Sequence, residues 1–155
     1  MGASLRIAAD LKHLDAMRRY IQETATALEA DAEGIHDALL AATEAATNII
    51  VHGYRNKPGI IEIEMSREGD SLLVRLRDQA DPFDPTSVPA PDLTLPLEKR
   101  PFGGMGIHLI RQVTDEMIYR ALPTGGNELT LVKKSPARSN PKEGTHEHHR
   151  RSSSG

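Results

Sequence analysis

Five short segments of the chain are rich in apolar residues, and the pattern is clearest between residues 59 and 78. There, apolar and charged residues alternate with a period of two on either side of Glu68-Gly69-Asp70, which predicts an antiparallel hairpin with one apolar face. The predicted strands cover residues 4–9, 59–68, 71–78, 116–122 and 127–134. The last two also form a hairpin, across Pro123-Thr124-Gly125-Gly126, so the chain favours a mostly antiparallel sheet.

Three further segments have the spacing or the flanking residues of helices. Residues 11–30 place apolar side chains three or four positions apart after Asp10, a plausible N-cap. A second helix is predicted from residue 31 or 33 to residue 52, with Gly53 as a left-handed C-cap, and a third opens at the glycine-rich residues 103–106. The order β-α-α-β-β-loop-α-β-β predicts an α+β fold, a mostly antiparallel sheet with helices on one face.

Length and composition are those of an ordinary globular protein. The chain has 155 residues, about the size of one domain, with 38% apolar and 26% charged residues. The absence of cysteine excludes a disulfide framework, thiol catalysis and a cysteine zinc site. No apolar run approaches the roughly 20 residues of a membrane helix, and the N-terminus lacks a basic-then-apolar signal region, so we expect a cytoplasmic protein without a membrane partner.

Charge is distributed unevenly along the chain. Residues 1–134 carry 15 Lys and Arg against 20 Asp and Glu. Because binding to a phosphate backbone needs a basic stripe, nucleic acid is not an expected partner. Residues 135–155 are rich in Ser, Pro, Gly and charge, and we expect a disordered tail outside a domain spanning residues 1–134. The histidines of the tail could bind a metal, although a solvated tail is the simpler interpretation.

Two polar residues interrupt an otherwise apolar helix. The second predicted helix reads ALLAATEAATNIIV over residues 38–51, and a helix with so few polar positions is expected to be mostly buried. Its predicted apolar stripe comprises Ile35, Leu39, Ala42, Ala46, Ile49 and Ile50. Helical geometry puts Glu44 and Asn48 together on the opposite side. A water-exposed face would explain the pair. So would a functional site in which the carboxylate takes a proton and the amide oxygen binds Mg²⁺.

A glycine-rich turn and a long loop provide two further signals. Gly103, Gly104 and Gly106 precede a predicted helix, where backbone N–H groups and the helix dipole favour an anion, although the same glycines could serve as a hinge. Asp78 ends a predicted strand, either to meet a ligand at the edge of the sheet or to start a turn. Between them, residues 81–101 contain six of the ten prolines, and a loop this long is usually functional or mobile.

The linear order of these signals resembles the GHKL ATPase superfamily. EAATN on a helix, DQADPFDP after a strand, a proline-rich loop and GGMGIHLI follow one another as they do there, and the resemblance covers residues 4–134. Within the superfamily, the chain is similar to the small anti-sigma regulatory factors, the RsbW-type serine-protein kinases. The resemblance implies a two-layer Bergerat fold, ATP and Mg²⁺ as cofactors, and serine/threonine-protein kinase activity.

The resemblance also implies roles for individual residues. Glu44 would be the catalytic base, Asn48 would bind Mg²⁺, and Asp78 would accept a hydrogen bond from the adenine amino group. Residues 85–102 would form the ATP lid. The residues expected to contact the nucleotide are Asn48, Asp78, Ala80, Phe83, Gly103, Gly104, Met105, Gly106 and Ile107. The family's Asp-x-Gly reads Asp78-Gln79-Ala80 here, and the added Cβ would weaken binding most if residue 80 had a positive φ.

The same resemblance implies partners for the chain. The expected substrate is an anti-anti-sigma protein of the STAS fold, a sigma factor would be the competing partner, and the chain would form a homodimer. A second class of function stays open, a non-catalytic module that sequesters a regulatory partner, with nucleotide structural or absent. Glu44 favours the kinase, and Ala80 leaves the binding module open.

Overall fold

A single antiparallel sheet forms one layer of the fold. The computed structural model of the chain describes residues 4–96, 98 and 104–137. Its strands are β1 (Leu5–Ala8), β2 (Ile60–Glu68), β3 (Ser71–Asp78), β4 (Glu116–Ala121) and β5 (Asn127–Lys134). They pair antiparallel in the order β1-β2-β3-β5-β4. Each predicted strand is confirmed to within one residue at either end.

Three α-helices form the second layer, which confirms the predicted α+β fold. They are α1 (Leu14–Ala27), α2 (Ala32–Asn48) and α3 (Gly104–Val113). Short 3₁₀ turns cover Leu11–His13 and Pro85–Ser87, and a π-helical turn over Ile49–Gly53 continues α2. Within the described residues, no helix combines the length and the apolar character that crossing a membrane requires.

Two aspartates determine where the first helical segments begin. Asp10 is confirmed as a cap, but of the 3₁₀ turn that precedes α1: its Oδ1 accepts a hydrogen bond from the Lys12 N–H at 3.0 Å. Asp31 caps α2 by accepting from the Gly34 N–H at 2.8 Å, and the Ser135 hydroxyl donates to the same carboxylate at 2.9 Å. Each aspartate accepts a hydrogen bond from an N–H group that has no partner within its own helical segment.

The end of α2 differs from the prediction. The expectation that Gly53 is a left-handed C-cap is wrong, because the helix runs through Gly53 as a π-helical turn and the left-handed φ values fall later, at Arg55 (+56°) and Asn56 (+61°). Gly53 is needed for space instead, since a Cβ there would lie 3.2 Å from the Cβ of Ala80. The position where α2 ends therefore depends on packing against the segment that follows β3.

The buried face of α2 is also rotated from the predicted stripe. The residues buried on it are Gly34, Ala38, Ala41, Ala42, Ala45 and Ala46. Ile35, Leu39 and Ile49, which were expected on the stripe, are half-buried and pack at the margin of the core. The buried face of α2 is therefore lined by small side chains, against which neighbouring elements pack closely, and the spacing of the large apolar residues does not predict it.

The core lies between the helices and one face of the sheet. Ile61 and Ile63 of β2 are fully buried there, against Met17 and Ile21 of α1, which are also 0% exposed. Burying one such side chain stabilises the fold by about 1.5–3 kcal/mol. The core is aliphatic, as the low aromatic content predicts.

The opposite face of the sheet carries ion pairs between neighbouring strands. Arg77 Nε lies 2.8 Å from Glu128 Oε2, and Arg120 Nε lies 3.2 Å from Glu128 Oε1. Burial acts to raise the pKa of Glu128, but hydrogen bonds from Arg120 and Arg77 outweigh it and hold that pKa below its usual value. The polar alternation of the strands therefore places a charged network on one side of the sheet and the core on the other.

Candidate functional site

A cavity of about 540 Å³ opens where α2 ends, next to the end of β3 and the start of β5. Its wall comes from α2 and the π-helical turn, from the segment after β3, from α3, and from β4 and β5. The residues of the wall that were predicted to contact a nucleotide are Asn48, Asp78, Ala80, Phe83 and Ile107. Ligand-binding cavities have volumes of this order, so the cavity is large enough for a nucleotide-sized molecule.

Asp78 forms a buried part of the cavity wall, with 4% of its surface exposed. Its Oδ1 atom accepts hydrogen bonds from the Ala80 N–H at 2.9 Å and from the Asn127 side-chain amide at 2.8 Å. Burial raises the pKa of Asp78, and the hydrogen bonds from Asn127 and Ala80 partly offset that rise. Since both bonds end on Oδ1, Oδ2 has no donor within the described part of the chain and is available to a ligand.

Ala80 fits beside Asp78 without backbone strain. The non-glycine residues with a positive φ, within the described ranges, are Glu29, Arg55 and Asn56, and Ala80 is not among them. Its Cβ lies against Gly53, which has no side chain to occupy the same space. Because residue 80 has no positive φ and Gly53 leaves space for its Cβ, alanine replaces the family's glycine there with little conformational cost.

The predicted acid and amide meet the glycine-rich turn. Glu44 and Asn48 are half-buried on α2, and α3 packs on α2 with Gly106 against both side chains. A Cβ built at Gly106 would lie 3.0 Å from Glu44 Oε1 and 3.4 Å from Asn48 Nδ2. Asn48 lines the cavity and Glu44 lies next to it. Neither side chain makes a hydrogen bond or ion pair with any described residue, so both are available to a bound molecule.

The remaining predicted positions lie around the first turn of α3. Gly104 begins the helix, Met105 is 42% exposed, and Ile107 is fully buried with one side in the cavity wall. Gly103 lies outside the described residues, so its predicted contact with phosphate stays a prediction. The predicted lid, residues 85–102, is described up to residue 96 and at residue 98.

Asn127, which no sequence motif marks, makes five hydrogen bonds in the cavity wall. The antiparallel register places it directly opposite Asp78. Gly126 before it has a φ of +95°, and a side chain there would collide with the Asp78 carbonyl. Because β3 and β5 are not consecutive in the chain, only the order of strands in the sheet brings Asn127 and Asp78 together, and the sequence carries no signal for it.

Tyr54 and Arg55 follow the π-helical turn and are also part of the site. The Tyr54 hydroxyl donates to the Ile60 carbonyl and accepts from the Gln79 N–H, both at 2.7 Å, so it joins the start of β2 to the segment after β3. Gly59 leaves the space that the Tyr54 ring fills. Arg55 is exposed and lines the cavity, which gives the wall a cationic group.

The donor set at Asn48 fits a magnesium ion that is shared with a ligand. Within residues 4–96, 98 and 104–137, no group of three or more His, Asp or Glu side chains could hold a metal by itself. Mg²⁺ at nucleotide sites usually takes only one or two ligands from the protein and the rest from phosphates and water. The Asn48 amide lies beside the Glu44 carboxylate, makes no hydrogen bond to the described part of the chain, and provides an oxygen ligand of the required kind. The histidines of the predicted tail lie outside the described residues.

A family model and curated relatives match most of this chain. Residues 7–133 match the model of the histidine kinase-like ATPase domain family. The chain is 31% identical over 117 residues to an anti-sigma F factor of Thermoanaerobacter pseudethanolicus, a match that covers 75% of this chain and 81% of the relative. It is 26% identical over 143 residues to the serine-protein kinase RsbW of Staphylococcus aureus, covering 88% of this chain and 90% of that protein.

A solved structure also has the same fold. The crystal structure of the RsbU and RsbW domains of a Mycobacterium tuberculosis protein matches with a TM-score of 0.55 at 19% identity. The match covers 88% of this chain and 34% of that chain, so this chain spans about a third of the solved protein. A family model that matches most of the chain, together with these relatives, confirms the GHKL resemblance: the chain belongs to the histidine kinase-like ATPase family, and anti-sigma factors and RsbW-type kinases are among its relatives.

Proposed function

We propose that this chain is an anti-sigma regulatory factor that transfers a phosphoryl group from ATP to a serine or threonine of a partner protein. The observation that carries the proposal is the position of Glu44 and Asn48, side by side against Gly106 at the cavity and without a hydrogen-bond partner among the residues that the structure describes. The names of the relatives support the same function.

The end of the cavity at Asp78 suits the base of the nucleotide. Asp78 presents a carboxylate oxygen in a wall that is otherwise largely apolar, next to Ala80 and Ile107. A purine with an amino group has the flat apolar faces and the N–H donor that this surface accommodates. A hydrogen bond from a ligand to an ionised group contributes about 1.5–3 kcal/mol.

The end of the cavity at Asn48 suits the phosphates. When bound there, ATP supplies the phosphoryl group and Mg²⁺ offsets the charge of its oxygens. Asn48 would bind the metal through its amide oxygen. The first N–H groups of a helix have no acceptor within the helix itself, and at the start of α3 those of Gly104 and Gly106 would donate to phosphate oxygens.

Glu44 is proposed as the base. Its Oε1 lies beside Gly106, one helical turn from Asn48, so a hydroxyl brought to the phosphates would also come near this carboxylate. Glu44 would accept the proton of that serine or threonine hydroxyl, or orient the hydroxyl for attack.

Calorimetric titration with ATP, in Mg²⁺ and in EDTA, tests the nucleotide site. We expect wild type to bind ATP more tightly in Mg²⁺ than in EDTA, and Asn48→Ala to lose most of that gain. Wild type and Asn48→Ala should have the same affinity for adenosine. Gln22→Ala is a matched control, because it removes an exposed amide from α1, away from the cavity. An Asn48→Ala protein whose response to Mg²⁺ equals that of wild type would contradict the role of Asn48.

Phosphotransfer to a purified STAS-fold protein tests the activity. Labelled phosphate from ATP should appear on a serine or threonine of that protein, and we propose that a sigma factor competes for the same kinase. We propose a homodimer as the active form, which light scattering would measure. A sigma factor acts on transcription, so the proposed activity belongs in the cytoplasm.

A binding module without catalysis is the second candidate. One observation favours it: Glu44 lies beside the cavity wall instead of in it. In that case the partner complex would form equally well with and without nucleotide, and wild type would transfer no phosphate within a tight complex. Transfer by wild type would exclude this candidate.

A further inference from the structure

We propose that Asn127 is the positioning residue that determines which purine this chain prefers, because it holds Asp78 so that only Oδ2 of that carboxyl group meets the base. The proposal rests on the proposed ATP site and adds to it a residue that the family motifs quoted above do not contain. Asn127 begins β5, is 7% exposed, and lines the cavity opposite the strand end that carries Asp78.

The side-chain amide of Asn127 has one orientation that satisfies its neighbours. Nδ2 faces three acceptors, Asp78 Oδ1 at 2.8 Å and the backbone carbonyls of residues 80–81 at 3.3 and 3.1 Å. Oδ1 faces two donors, the Phe83 N–H at 2.9 Å and the Tyr119 hydroxyl at 2.6 Å. Turning the amide over would place its oxygen against three oxygens and its NH₂ group against the Phe83 N–H, so the neighbours fix the orientation.

This orientation makes Asp78 Oδ1 a permanent acceptor. It receives N–H groups from Asn127 and from Ala80, so a proton on the carboxyl group can reside only on Oδ2. An ionised Asp78 presents Oδ2 as an acceptor and pairs with the 6-amino group of adenine. A protonated Asp78 presents an O–H donor and pairs with the 6-oxo group of hypoxanthine or guanine. Asn127 favours the first arrangement, because donation to a carboxylate stabilises its ionised form.

The other charged groups near Asp78 do not replace this effect. The titratable and charged side chains that share the cavity wall are His52 and Arg55 after α2, Asp81 after β3, and Tyr119 of β4. Arg55 makes no ion pair within the described residues, and α3 contributes only apolar side chains to the wall. Burial raises the pKa of Asp78, and the Asn127 hydrogen bond opposes that rise more than the Ala80 N–H does.

The main test is Asn127→Leu, which keeps a similar side-chain volume but cannot form hydrogen bonds. The affinities of wild type and of the variant for ATP and for ITP are measured by calorimetric titration between pH 5 and pH 9. Wild type should prefer ATP. The variant should bind ATP at least tenfold more weakly and ITP less than threefold more weakly, so the preference falls. Because ATP needs an ionised Asp78 and ITP does not, the ratio of ATP affinity to ITP affinity should rise with pH, and the midpoint of that rise should move to higher pH in the variant. Ionisation of the terminal phosphate is common to both nucleotides and cancels in the ratio. Asp78→Asn should remove this pH dependence in both backgrounds.

Further variants separate positioning from stability. Asn127→Asp keeps the shape but places a second carboxyl group against Asp78, so it should shift the midpoint upward more than Asn127→Leu and weaken ATP more than ITP. Tyr119→Phe removes one hydrogen bond from the Asn127 oxygen and leaves the bond to Asp78, so its change in preference should be smaller. Thr130→Val alters a buried residue on the other face of the same strand and should leave the preference unchanged.

The outcomes distinguish this inference from the proposed function. ATP and ITP weakened equally, with no shift of the midpoint, would show a merely structural role for Asn127 and overturn the inference while the ATP site stands. Equal affinity of wild type for ATP and ITP would overturn it as well. If wild type binds no ATP, both the inference and the proposed function fail.

Discussion

The two ends of the cavity are built in opposite ways. At the end that we propose for the base (the base end), Asp78 and Asn127 are buried and joined by hydrogen bonds that leave only one carboxylate oxygen available. At the end that we propose for the phosphates (the phosphate end), Glu44 and Asn48 are half-buried and have no hydrogen-bond partner within the described residues. At the base end, hydrogen bonds within the protein hold the polar side chains in place. At the phosphate end, the polar side chains would be held by hydrogen bonds to a ligand.

The difference follows from the elements that form each end. The base end lies on paired strands, where ladder hydrogen bonds fix the backbone and the register fixes which side chains meet. The phosphate end lies between two helices, whose contact at Gly106 leaves little room for a side chain. On the proposed function, a rigid base end would lower the ordering cost of binding and provide selectivity, whereas the polar groups at the other end would respond to the charge of the ligand.

The largest expected effect is at the phosphate end. Glu44→Ala should lower phosphotransfer by about 10²–10⁴-fold, as expected for loss of a general base, and change ATP affinity by no more than about threefold. The reason is that the proposed contact of Glu44 is with the attacking hydroxyl and not with ATP. Initial-rate assays and calorimetry measure the two quantities. Glu44→Gln, with the same shape, should give the same loss, and an equal fall of binding and turnover would make Glu44 a structural residue.

A smaller effect is expected from closing the contact between the helices. Gly106→Ala would put a Cβ 3.0 Å from Glu44 Oε1, so the Glu44 carboxylate must move by a few tenths of an ångström, and the new methyl group would pack directly on the Asn48 amide. We expect about a tenfold loss in MgATP affinity, in line with the usual effect of overpacking, and no change for adenosine, which lacks phosphates. If adenosine binding falls equally, the two ends of the cavity are not independent and the comparison above is wrong.

The smallest effect concerns the stability of the protein without ligand. The pKa of Asp78 is higher in the folded protein than in the unfolded chain, where it is about 3.9, so ionisation of Asp78 disfavours the folded state. The loss of stability begins as the pH rises above the pKa of the unfolded chain and is complete above the pKa of the folded protein. Asp78→Asn should therefore melt at a higher temperature than wild type at neutral pH, with the difference vanishing below about pH 4. Each kcal/mol corresponds to about 2–8 °C. A lower melting temperature for the variant at neutral pH would contradict this account of the base end.

Much of the fold could be predicted from local pattern. The alternation in residues 59–78 and the turn at Gly69 specify a hairpin, because a strand with a period of two has one face for the core and one for water. Asp31 and Asp10 mark helical starts through hydrogen bonds to N–H groups two or three residues away. These features depend on neighbours in the chain, so the chain alone indicates them.

The candidate site was predictable only in part. Glu44 and Asn48 are one helical turn apart, so the sequence predicts that they lie together, and Asp78 ends a strand. The failure at Gly53 shows the limit: a glycine at the end of a helix usually permits a left-handed turn, but this one makes room for Ala80 from a distant segment. A requirement for space that is set by a residue 27 positions away leaves no local pattern.

The sequence by itself determined the α+β order of elements, the aliphatic core, and the pairing of an acid with an amide on one helix, since each depends on spacings of a few residues. Only the tertiary structure decided that β3 lies beside β5, that Asn127 therefore meets Asp78, and that Gly106 rests against Glu44 and Asn48. The physical reason is that these contacts join segments far apart in the chain. Their geometry is set by the packing of the sheet and the helices as a whole, which no local pattern encodes.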